Sequence, residues 1–141
     1  CKAAFRRGQE LFNGVNANGR SCRGCHNAQN NGSNVNGALF DVGTSRAQFR
    51  RAGMPLYTVR NTSTKKKHET TDPGRALFTG QWADMDKFKV PTLRGLAARP
   101  PYFHNGIAAT LNDVVRHYEK ALGFRYTPQE RADLVAFLEA L

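Results

Sequence analysis

Apolar positions near the start of the chain recur at helical spacing. Phe5, Gln9 and Phe12, with Gly8 and Leu11 beside them, fall on one stripe, which predicts a helix over Lys2 to Phe12. Glycine inside such a helix costs roughly 1 kcal/mol against alanine, so Gly8 implies a close packing contact. The other strong patterns lie at the far end. Thr127-Pro128-Gln129-Glu130 reads as a capping box with proline at the first helical position. Leu134, Val135, Phe137, Leu138 and Leu141 supply the buried stripe of the helix that follows. Thr110 and Asp113 form an earlier capping box, and Val114, His117, Tyr118 and Ala121 share a face of its helix. The last helix needs an apolar partner, and the first offers close approach at Gly8, so the two are expected to cross there.

Between these ends the pattern weakens. Asn13 to Gly19 and Asn27 to Gly37 are rich in Asn and Gly, which favour turns. Their side-chain carbonyls could serve calcium, but clustered carboxylates are missing from both stretches. Arg46 to Arg51 reads as one or two helical turns, and Pro55 to Val59 as a short extended piece. Lys65-Lys66-Lys67-His68-Glu69 reads as a solvated charged loop, with partner docking as its second reading. Thr71 to Gly80 reads as a short helix, capped by Thr71 or Asp72, with Pro73 in the first turn and Gly80 at its end. Residues 81–106 are irregular and carry Pro91, Pro100 and Pro101. The fold class expected is therefore all-α with long loops, in a single domain spanning 1–141.

Composition adds three constraints. Hydrophobic residues make up 40% of 141, a modest share that a large apolar cofactor would supplement. No run approaches the ~20 apolar residues of a membrane span, and no leader precedes Cys1, so the chain reads as mature or trimmed. The formal net charge is +10, and the whole excess lies before residue 112. Such a surface steers an acidic partner protein. A nucleic-acid role is set aside, because no recognition motif accompanies the charge. Cys1 has three readings: a lipid anchor, a free thiol, or the arbitrary start of the ordered chain.

The chemistry is concentrated in Ser21-Cys22-Arg23-Gly24-Cys25-His26-Asn27. Cys-x-x-Cys-His is the spacing that attaches a c-type haem. Two thiols three positions apart can bond one edge of a porphyrin, and the next residue can place its imidazole on the iron. A thioredoxin-like pair would sit in a βαβ context, and none is visible. A zinc site would need a second ligand pair, and none is present. One covalent haem c is expected, and it implies export to the periplasm or another extracytoplasmic compartment.

Three further stretches carry a family resemblance. They are Lys89-Val90-Pro91-Thr92-Leu93-Arg94, Pro101-Tyr102-Phe103-His104-Asn105-Gly106 and Ala109-Thr110-Leu111-x-Asp113-Val114-Val115. With Gly8-x-x-Leu11-Phe12 ahead of the haem motif, they resemble the C-terminal haem domain of the bacterial dihaem cytochrome c peroxidases. That family includes the methylamine-utilisation dihaem oxygenases. The resemblance implies a cytochrome c-like domain wrapping one haem. In the family this domain holds the electron-transfer haem, while a separate N-terminal domain holds the peroxide-reactive one. The distal ligand lies fourteen positions after the histidine of the Pro-Tyr-Phe-His motif, which places Tyr118 opposite His26. His104 would position its loop, and Arg94 and Arg99 would pair with haem propionates. Met85, His117 and His68 stay open as competing ligands, as does an iron with no side chain in that position.

The function expected is a monohaem electron carrier or electron-relay subunit. The alternative is a peroxidase or oxidase domain working with a second haem, on a partner chain or an N-terminal domain. His104, His117 and Glu119 would be its titratable candidates. A third reading is a binding or structural subunit whose haem mainly nucleates folding; as to partners, the chain is also a candidate subunit of a larger redox assembly.

Overall fold

The structure, a computed structural model, describes residues 2–141. Cys1 and the anchor considered for it lie outside the described residues. The chain forms two compact units: one made of residues up to Ala38 together with Lys89–Leu141, the other of Leu39–Phe88.

In the first unit, α1 (Lys2–Asn13), α4 (Leu111–Leu122) and α5 (Pro128–Glu139) do the packing. The terminal helices α1 and α5 cross as the two stripes require. A Cβ on Gly8 would lie 2.1 Å from the Asp133 carbonyl oxygen and 2.7 Å from the Cβ of Phe137. Glycine is what lets these backbones touch. Phe5 and Phe12 close on Phe137 from either side of the crossing, with ring centroids 5.1 and 5.2 Å away. Beside them Arg7 binds the buried Asp133 through Nε and Nη2 at 2.6 and 2.8 Å. Gln129 adds a third donor at 3.1 Å. Both capping boxes form as read, Thr110 with Asp113 and Thr127 with Glu130. Arg131 holds Glu119 by two hydrogen bonds of 3.0 Å, tying α5 to α4. The core between them is Phe12, Leu93, Tyr102, Ala108, Leu111, Val115, Leu134, Phe137 and Leu138.

The second unit overturns the all-α expectation. Strands β2 (Tyr57–Arg60) and β3 (Lys67–Thr70) form an antiparallel hairpin with Val59 opposite His68. A second, minimal pair joins β1 (Leu39–Phe40) to β4 (Phe88–Lys89). The hairpin follows from local chemistry. Val59, His68 and Thr70 turn inward while Thr58, Arg60, Lys67 and Glu69 stay exposed, and Thr58, Val59 and Thr70 are β-branched. Asn61 Oδ1 accepts from the amides of Ser63 and Thr64 at 3.0 and 2.8 Å, which closes the turn. The run Lys65 to Glu69 is thus part turn and part strand, not a loop throughout.

The helix read over Thr71 to Gly80 shortens to α3 (Ala76–Thr79). Asp72 Oδ1 accepts from the Gly74 amide at 2.8 Å, an Asx turn that competes with helix. Gly74 itself has φ +60, and a Cβ there would lie 2.6 Å from the Lys87 carbonyl oxygen. Gly80 ends α3 in the left-handed region, as expected. Arg46 to Arg51 contains one 3-10 turn, Ala47–Phe49. The buried centre of this unit is polar: Ser45, Thr70 and Asp86 are almost wholly enclosed. Asp86 takes hydrogen bonds from Thr70 Oγ1 at 2.7 Å and pairs with His68 Nε2 at 2.6 Å. No helix among the described residues is long and apolar enough to cross a membrane.

Candidate functional site

The Cys-x-x-Cys stretch is a single helical turn, α2 (Cys22–Cys25). One turn has no stability of its own, so its neighbours hold it. Ser21 caps it, its Oγ accepting from the Gly24 amide at 3.0 Å. The His26 amide closes it on the Cys22 carbonyl at 3.0 Å. Asn34 Nδ2 donates to the Cys25 carbonyl at 3.1 Å, and the Cys22 side chain packs on the core. Neither cysteine is in a disulfide. Burial pushes the Cys22 thiol up to about 11, with Cys25 adding to the rise. Burial also raises Cys25, partly offset by Arg20. A redox dithiol has a lowered pKa, and both shifts here run the other way.

His26 follows directly. Burial lowers its pKa, against the carbonyls of Pro91 and Gly32 nearby, which favour the charged form. A neutral imidazole is the form that ligates a metal. Its Nδ1 is a buried atom with no hydrogen bond of good geometry, and the Phe12 ring stands 6.4 Å from the imidazole ring. An imidazole whose second nitrogen faces a carbonyl is the usual arrangement behind a metal-bound histidine. Two thiols on one turn, followed directly by a buried imidazole, fit a covalently attached haem.

Tyr118 sits on α4, half-buried. Its phenol is pushed up by burial first and then by charge on Cys22 and Cys25. Tyr118 belongs to the same compact unit as the thiol pair, and the charge of those thiols reaches its phenol. Its ring is edge-on to Phe103 at 5.7 Å and to His117 at 5.8 Å, and Phe103 lies 4.8 Å from His117. Tyr126 joins the group unannounced. It packs on the same core cluster as Cys22, and burial followed by charge on Cys22 raises its pKa. Tyr126 follows the α4 terminator Gly123 in a linker with no periodicity, so only the fold reveals it.

The remaining predicted residues are more dispersed. Arg94 Nη2 donates to the Gln29 carbonyl at 3.1 Å. Arg99 Nη2 donates to the carbonyls of Thr92 and Arg94 at 3.0 and 2.7 Å. Both guanidinium groups lie at the surface and pin loops. His104 is exposed on the loop after Phe103. Glu119 is committed to Arg131. His68 is committed to Asp86, and Met85 follows the 3-10 turn Trp82–Asp84; both belong to the second unit.

No family model matches the chain. Curated proteins do. A cytochrome-c peroxidase of Denitromonas iodatirespirans is 33% identical over 153 residues, 95% of this chain and 38% of that protein. A cytochrome c551 peroxidase of Nitrosomonas europaea is 43% identical over 79 residues, 54% of this chain and 24% of that protein. The methylamine utilization protein MauG of Methylorubrum extorquens is 43% identical over 65 residues, 38% of this chain and 18% of that protein. The chain spans about two fifths of the length of the relatives it matches most fully.

Proposed function

The chain belongs to the bacterial cytochrome c peroxidase and MauG family, and from that premise we propose that it is a monohaem electron carrier or relay domain. The observation that carries the reading is the single Cys22-x-x-Cys25-His26 turn. It offers covalent attachment for one haem. When bound, haem c supplies an iron that cycles between Fe(II) and Fe(III). The chain's own residues do the rest. Cys22 and Cys25 hold the group covalently on a turn fixed by Ser21 and Asn34. His26, the residue after the second cysteine, would hold the iron through its imidazole. Tyr118 on α4 would offer its phenol oxygen as the second protein ligand. Arg94 and Arg99 stand as cationic partners for the propionates, and His104 orients its loop.

The basic surface fits docking of an acidic redox protein, with exchange at a partly exposed haem edge. The compartment that suits covalent haem is extracytoplasmic, the periplasm in a bacterium. A second reading is kept because matched relatives are named peroxidases. In it the domain works with a second haem, on another chain or on an N-terminal domain. Intact mass and a peroxide assay separate the two. One haem per chain, stoichiometric reduction by ascorbate and no peroxide turnover support the relay. Peroxide turnover by the isolated chain refutes it.

A further inference from the structure

Phe103 is a large residue in a backbone conformation that large residues avoid. Its φ is +68, in the left-handed region where Gly and Asn are at ease. The loop around it is held firmly enough to keep it there. The Tyr102 amide donates to the Ala108 carbonyl at 2.7 Å, and the Gly106 amide donates to the Phe103 carbonyl at 3.3 Å. Tyr102, Ile107 and Ala108 are buried on either side. Strain of this kind persists where surrounding structure over-determines it, and it concentrates at working sites.

The ring so placed meets two side chains of α4. Phe103 lies 4.8 Å from His117 and 5.7 Å from Tyr118, and those two rings are themselves 5.8 Å apart. Consecutive helical residues point about 100° apart, so Phe103 fills the notch between them. A ring in contact with both limits the rotamers open to each. We propose that Phe103 is the positioning residue that fixes the Tyr118 phenol toward the Cys22/Cys25/His26 turn. The proposal rests on the reading of Tyr118 as distal ligand. It adds that the ligand is imposed by a side chain on another loop, and not by α4 alone.

The test uses the haem-loaded protein and replaces Phe103 by Gly, which suits the same φ and deletes the ring. Phe103→Asn serves as a second small variant compatible with the left-handed backbone, and Phe103→Tyr keeps a ring in place. Resonance Raman spectra of the oxidised protein read phenolate ligation directly, and cyanide-binding rates read how open the distal position is. Wild type and Phe103→Tyr should show phenolate modes and slow cyanide binding. Phe103→Gly and Phe103→Asn should lose most of the phenolate intensity and bind cyanide at least tenfold faster, with far-UV circular dichroism unchanged. Full phenolate intensity in both small variants overturns the proposal while leaving the Tyr118 reading intact. Wild-type spectra without phenolate modes, unchanged in Tyr118→Phe, overturn both.

Discussion

The crossing of the first and last helices offers the sharpest test of how the fold holds the site. Consider Gly8→Ala. Helix propensity alone favours alanine by about 1 kcal/mol. Packing opposes it, because the new Cβ would stand 2.1 Å from the Asp133 carbonyl oxygen. That neighbour is backbone and cannot turn away as a side chain can. To reach an ordinary contact distance, α1 and α5 must separate by roughly 1 Å, which loosens the stacking of Phe5 and Phe12 on Phe137 and the Arg7–Asp133 pair. Overpacking of this kind costs about 1–3 kcal/mol, and a rigid partner places the cost at the upper end. After the propensity gain, a net loss of about 2 kcal/mol is expected. For a chain of this size that is a fall of roughly 8 °C in Tm. Thermal and urea unfolding followed by far-UV circular dichroism on haem-loaded protein would measure it. Adding Phe137→Ala should not rescue the variant, since the closest clash is with the backbone. A Tm equal to or above wild type would refute the reasoning, because it would mean that the helices do not meet at Gly8.

Replacing both Cys22 and Cys25 by Ser should leave a poorly folded protein without covalent haem, visible as lost thermal cooperativity and an intact mass lacking the cofactor. Arg7 holds the Asp133 carboxyl below its ordinary value, so the pair's stabilisation is full above the unfolded pKa of about 3.9 and is lost as pH falls through the lower folded value. Asp133→Asn should therefore flatten the loss of stability on acidification below about pH 4, read by urea unfolding across that range. Thr110→Ala removes an N-cap and should cost about 1 kcal/mol in the same assay. Tyr118→Phe should remove the phenolate bands and raise the reduction potential, since an anionic oxygen favours Fe(III); an unchanged potential counts against the ligand.

The parts legible in the sequence are those fixed by contiguous residues. Capping boxes occupy four positions, so Thr110–Asp113 and Thr127–Glu130 announced α4 and α5. Gly8 was readable because glycine in a helix has few reasons other than contact. The Cys-x-x-Cys-His turn was readable because covalent attachment demands its spacing. The hairpin was not. Its strands are four residues long, their inward positions are Val59, His68 and Thr70, and the unit's interior is built on polar Ser45, Thr70 and Asp86. A hydrophobic pattern cannot reveal a core that is not hydrophobic. Tyr118 came from resemblance. The ring contacts of Phe103 and the packing of Tyr126 and Cys22 on one cluster depend on loops brought together by tertiary structure, and no spacing rule reaches them.

The placement of the motif explains why a single helical turn suffices. Alone, α2 would not persist. It follows α1 after a short Asn/Gly-rich loop, and Cys22 packs on the cluster that α1, α4 and α5 build. The residue after the second cysteine, His26, lies against Phe12, which in turn stacks on Phe137. The chain of contacts from the Gly8 crossing to the imidazole is therefore Phe137, Phe12, His26. A change that parts the terminal helices should move the proximal histidine as well as lower stability. Gly8→Ala should accordingly broaden or shift the His–Fe stretching band of the reduced protein, whereas Thr110→Ala, at the exposed start of α4, should leave it in place. Equal effects of the two variants on that band would show that it follows global stability, and the route through Phe12 would fall.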